Sequence, residues 1–269
     1  MKYSSALSGR ILDMLPPLEN IIDCHVHLGS YGKHHIPHAN DTAAIISMMD
    51  MTGIKQACVS HLLSLVDDLY EGNDLSCITA AVHPGRFNVY LVFDPNYPLE
   101  YNMAGIEKHS GNRYVKGIKI HSTLHNASPD DHRYYPVYEI CNSRKMIVLA
   151  HTWGLQDVKG VEKAAKKYKD AAFIIGHSGG YDLNANHEAI RLAGSYDNIY
   201  LDLAISGLFE GIVELMVQKA SSDKVLFGSD MPFMDPRGSL GRICFAEISD
   251  TDKEKILYMN FEGLLRRTI

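Results

Sequence analysis

The strongest constraint on the fold is an alternation. Eight short runs rich in β-branched and aliphatic residues recur along the chain: "NIIDCHVH" (20–27), "KQACVSHLL" (55–63), "FNVYLVFDP" (87–95), "YVKGIKIHS" (114–122), "MIVLAHTW" (146–153), "AAFIIGHSGG" (171–180), "NIYLDLAIS" (198–206) and "KVLFGSDMP" (224–232). They have the length and residue types of strands buried on both faces. Helical patterns lie between them. Residues 41–53 open on an Asp-Thr cap signal and stop at Gly53. Residues 157–170, 184–196 and 211–223 are amphipathic, and 251–267 predicts a closing C-terminal helix. Eight strand–helix units in 269 residues predict a single (β/α)8 TIM-like barrel, with some distortion allowed, as one domain over 1–269. A doubly wound open sheet is the alternative, but no GxGxxG follows the first strand.

Composition narrows the function classes. Apolar residues make up 46% of the chain, enough for a large core, and the net charge of −6 gives no electrostatic case for nucleic acid or an anionic membrane. No apolar run is long enough to span a bilayer, and the N-terminal residues do not read as a signal peptide. Five cysteines without CxxC spacing point to free thiols and a cytoplasmic location. Homo-oligomerisation is left open, and a small molecule is the expected partner.

The 14 histidines carry the functional signal. In "IIDCHVHLGS", strand alternation puts Asp23, His25 and His27 on one face. Two imidazoles and a carboxylate in a dry interior call for a ligand, and a metal ion is the usual one. His61, His121, His151, His177 and Asp230 likewise fall at or near strand ends, where a barrel assembles its active site. Gly117, Lys119 and His121 share a strand face, so Lys119 points inward. There it would touch substrate, pair with a carboxylate or, if carboxylated, bind metal.

"DCHVH", "GIKIH", "VLAHTW", "IIGHSGG" and "VLFGSDMP", in that order, resemble the amidohydrolase superfamily, and more closely its amidohydrolase-related branch of small-acid hydrolases and decarboxylases. The resemblance implies a distorted TIM barrel with a divalent metal, commonly zinc, at its mouth. It implies His25, His27, His151 and Asp230 as metal ligands, Asp230 also as proton carrier, and His177 as a second-metal ligand or an acid/base or polarising group. One ion is favoured and two are allowed, since Lys119 lies near the position of a carboxylated lysine in binuclear members. Such a site activates water to cleave an amide, ester or lactone bond of a small carboxylate-bearing substrate. The leading expectation is therefore a metal-dependent hydrolase. The alternatives are a non-oxidative decarboxylase and a barrel that binds without turnover.

Other candidates flank these motifs. Lys119, His121 and Trp153 are expected to contact substrate, and Arg237 and Arg242 are placed to clamp its carboxylate. His34, His35 and His38 read as a solvated loop, with a lid as the alternative. Residues 121–136, with His125, His132 and Arg133, predict a long loop over the mouth. Met48, Met49 and Met51 are assigned to helix packing.

Overall fold

The computed structural model describes residues 5–30, 41–205 and 207–268. Its strands are β1 (Ile21–Leu28), β2 (Ile54–His61), β3 (Phe87–Val92), β4 (Val115–His121), β5 (Ile147–His151), β6 (Ala172–Gly176), β7 (Ile199–Asp202) and β8 (Val225–Leu226). All neighbours pair in parallel in the order β1 to β8, with helices between them. An open sheet is thereby excluded: the chain after β8 returns to β1. Cys24 N donates to Phe227 O, Asp230 N to His25 O and His27 N to Met231 O, at 2.7–2.9 Å. This seam replaces a regular pairing, because the expected strand 224–232 keeps ladder geometry only over Val225–Leu226. Beyond them Asp230 takes a left-handed φ of 60° and Met231–Pro232 is cis.

Local signals set the helix ends. Asp41 accepts from Ala44 N at the start of Thr42–Thr52, and Gly53 closes it at φ 78°. The closing helix runs from Asp250 to Arg267 through one wide turn at Lys255–Met259. Its Phe261, Leu264 and Leu265 pack with Ile22, Cys24, Tyr90, Leu149, Ile174 and Leu226, the side chains filling the barrel. The lower barrel is therefore a packed plug. Gly117 makes room for it: a Cβ there would sit 2.1 Å from Ile147 O and 3.0 Å from the Tyr90 ring.

The phase of β1 differs from simple alternation. Asp23 pairs with Ala57 and Val26 with Val59, so β1 holds one extra residue between these pairs. That bulge puts Asp23 out of phase with His25 and His27. The Asp23 carboxylate serves the seam, accepting from His25 N at 3.0 Å and Ser229 N at 3.1 Å. Full burial pushes it up to about 7. The expected long loop after β4 is also more ordered than its composition suggests: it contains a helical turn at Ser122–His125 and another at His132–Tyr134.

Candidate active site

His25, within the bulge, and His27, just beyond it, both rise from β1 and are almost fully buried. His25 Nδ1 lies 2.8 Å from Asp202 Oδ2, at the end of β7. A carboxylate accepts, so Nδ1 carries the proton and Nε2 keeps its lone pair. Asp202 Oδ1 accepts in turn from His177 N at 2.6 Å and Ala204 N at 3.2 Å. His25 Nε2 faces Lys119 Nζ at 2.9 Å and Asp230 Oδ1 at 3.6 Å, and His27 Nε2 stands 3.4 Å from that same oxygen. His27 Nδ1 is 3.1 Å from Ser60 Oγ on β2. Burial, then the Lys119 charge, hold His25 well below the usual imidazole range, and burial lowers His27 too. Both rings are therefore neutral and suited to metal.

Lys119 is fully buried, as the face shared with Gly117 and His121 requires. Burial draws its ammonium down to about 8. It touches His25, a metal-type donor, and so stands inside the cluster.

A second chain of hydrogen bonds orders His151, at the end of β5, and His177, just after β6. His177 Nδ1 is 2.6 Å from Ala204 O, and a carbonyl can only accept, so Nδ1 is the protonated nitrogen. His177 Nε2 then accepts from His151 Nδ1 at 2.9 Å, which leaves the lone pair of His151 on Nε2. His151 stacks on His121 at 3.7 Å between ring centroids and on Trp153 at 5.8 Å. Leu124 N donates to His121 Nδ1 at 3.3 Å, so the neutral His121 ring carries its proton on Nε2. His177 and Ser178 hold left-handed backbone at φ 62° and 49°. With Asp230 they form a cluster of strained residues of the kind found at functional sites.

These side chains floor a cavity of about 510 Å³. His27, His121, His151, His177, Asp230 and Trp153 line it, with Leu62, Leu65, Val66, Leu124, Ile205 and Phe233 forming apolar walls. The expected ligand set is only partly gathered. Among the described residues, two groups bring ligand atoms within 4.8 Å of one another: His25, His27 and Asp230, and His25, His177 and Asp202. His151 lies in neither and is turned toward His177 instead.

Several expected contacts fall elsewhere. The Arg237 guanidinium is bound to Asp235, the cap of its own helix, and is not among the residues that line the cavity. Arg242 donates from Nη1 to Ile205 O at 2.8 Å, bracing a wall residue from outside the lining. His61 accepts from Leu63 N and packs against Gly29. His132 is exposed, Arg133 pairs with Asp131, and His125 is buried beside Asp94. His34, His35 and His38 lie outside the described residues.

Asp202 and Ser60 are the site residues that sequence reasoning passed over. For Asp202 a signal existed: it is a lone acid inside the apolar run "NIYLDLAIS", on the face shared with Tyr200 and Ala204.

A family model for amidohydrolases matches residues 22–267, nearly the whole chain. The chain belongs to the amidohydrolase family. No curated protein matches it by sequence. Solved structures share its fold at low identity. A Staphylococcus aureus protein provisionally described as an amidohydrolase aligns with TM-score 0.74 at 16% identity, over 92% of this chain and 99% of that one. The 5-carboxyvanillate decarboxylase of Sphingomonas paucimobilis aligns with TM-score 0.73 at 12% identity, covering 92% and 99%. A dihydroxybenzoic acid decarboxylase from Polaromonas, with bound manganese and the inhibitor 2-nitroresorcinol, aligns with TM-score 0.72 at 16% identity, covering 93% and 97%. No described helix is long and apolar enough to cross a membrane.

Proposed function

We propose that this amidohydrolase-family barrel is a metal-dependent decarboxylase of a small aromatic carboxylic acid, its carboxylate on the ring. The observation that carries the reading is the apolar, aromatic-walled cavity set directly on the histidine–aspartate cluster. Leu62, Leu65, Val66 and Phe233 are among the cavity's apolar walls, and no arginine lines it among the described residues. Low polarity disfavours the localised carboxylate charge and favours its dispersal as neutral CO2 departs. The family's decarboxylases of similar fold, one of them holding manganese, support the same reading.

A divalent ion fits the donors present. His25 Nε2, His27 Nε2 and Asp230 Oδ1 converge, Asp202 already commits Nδ1 of His25 to donation, and an ion on Nε2 would take the lone pair that Lys119 Nζ now meets at 2.9 Å. His25, His27 and Asp230 would hold Mn²⁺ or Zn²⁺, and His151 keeps the lone pair of its Nε2 at the cavity. When bound, the ion would supply positive charge that anchors and polarises a substrate oxygen.

The protein's own groups do the rest. His121 presents its Nε2–H as a donor to a substrate oxygen, and Trp153 walls the ring. Asp230, lining the cavity, transfers a proton to the carbon bearing the carboxylate. The bond to that carboxylate then breaks, its electron pair returns to the ring, and CO2 leaves. Water resupplies the proton to Asp230. His177, with both nitrogens engaged, positions His151.

Hydrolysis of an ester, lactone or amide is the second reading, favoured by Asp230 itself, which serves equally well as a base toward water. Metal-reconstituted protein should be assayed against hydroxybenzoates for CO2 release and against lactones, esters and amides for acid release. Substrate-dependent CO2 is the expected result. Acid release from the second panel with no CO2 from the first would replace decarboxylation with hydrolysis.

A further inference from the structure

At the opposite end of the barrel lies a second concavity, of about 280 Å³. It opens where β4 and β5 begin, lined by Val115, Lys116 and Met146, whereas His121 and His151 end those same strands. The length of β4 separates the two sites by about 20 Å. Leu91, Ile106, Val115 and Met146 form an apolar floor, and Arg113, Lys116 and Arg144 stand around it.

The charges there are unbalanced. Elsewhere in this acidic chain Arg86, Lys108, Arg133, Lys163, Arg191 and Lys255 each sit against a carboxylate. No described carboxylate lines this cavity. Arg144 makes only a 3.5 Å contact to Ser110 O, and Arg113 lies over the ring of Tyr114 and donates to its hydroxyl. Lys116 is half-buried at the rim and has no ion pair among the described residues. His109, also in the lining, is held by Asp74 at 2.7 Å and adds nothing to the surplus. Three cations around an apolar floor match one ligand chemistry: an anionic head on a short apolar body.

We propose that this lower cavity binds a small organic anion, its carboxylate on Lys116 and Arg144 and its apolar body over Ile106, Val115 and Met146. The site is independent of the reaction assigned to the upper cavity. Titration calorimetry with hexanoate, on the full chain loaded with metal, is the test, with inorganic phosphate as a probe of charge alone. Hexanoate should bind saturably, and phosphate more weakly. Lys116→Met and Arg144→Gln should each weaken hexanoate about fivefold or more, as expected for loss of a charge-assisted hydrogen bond. Neither side chain takes part in a described ion pair, so thermal melting of both variants should match the parent and assign the loss to the site. Three results would overturn the proposal: no saturable binding, hexanoate binding that both variants retain in full (placing it in the upper cavity), or phosphate binding as tight as hexanoate.

Discussion

Asp230→Asn should reduce turnover by about 10²–10⁴-fold while the barrel stays folded. Asparagine keeps the size of the side chain and one oxygen, but it cannot carry the transferred proton. It also suits the backbone: Asp230 sits at φ 60°, a conformation that asparagine tolerates better than most residues. The seam hydrogen bonds from Asp230 N to His25 O and from Phe233 N to Asp230 O are main-chain bonds and survive the change. Two neutral imidazoles remain for the ion, which is held more weakly. Steady-state kinetics on the substrate found by screening, with metal content and circular dichroism for each protein, separate the cases. A variant with full activity would remove Asp230 as proton carrier. One that loses both metal and fold would make Asp230 chiefly a structural ligand.

Asp202→Asn should lower metal affinity by about 10–100-fold while leaving His25, His27 and Asp230, the residues proposed to hold the ion, in place. Asp202 has only donors around it: His25 Nδ1, His177 N and Ala204 N. An amide brings its own N–H groups to one of those donors. Either the His177 turn loses its acceptor, or His25 switches its proton to Nε2 and loses the lone pair that faces the cluster. The buried amide would also cost about 1–3 kcal/mol of stability. Competition with a chelating dye, together with thermal melting, reads both effects. Unchanged affinity would show that the His25 tautomer is set by another group.

The barrel was legible in the sequence because each buried strand is a short apolar run, and because a parallel barrel gathers strand ends at one mouth. His121, His151 and His177 could be placed by position alone for that reason. The inward face of Lys119 followed from alternation over Gly117–His121, the regular stretch of β4. The same rule failed on β1, where nothing in "IIDCHVHL" marks the bulge between Asp23 and Val26. Arg237 and Arg242 looked usable because they follow Asp230 closely in sequence. Nearness along the chain says nothing of direction, and the helix Pro236–Phe245 carries Arg237 to its own cap, Asp235. The partners of the histidines were the least visible part. Ser60 faces His27 as its ladder partner on β2, the Ala204 carbonyl reaches His177 from the chain after the neighbouring β7, and Asp202 of β7 meets His25 of β1 only through closure of the barrel.

The central claim is that His25, His27 and Asp230 hold a divalent ion. Elemental analysis of purified protein after loading with Mn²⁺ or Zn²⁺ and desalting, set beside His27→Ala treated identically, tests it most directly. About one ion per chain is expected in the parent, and far less in a folded His27→Ala protein. A parent that retains neither metal, or a variant that retains as much as the parent, would contradict it.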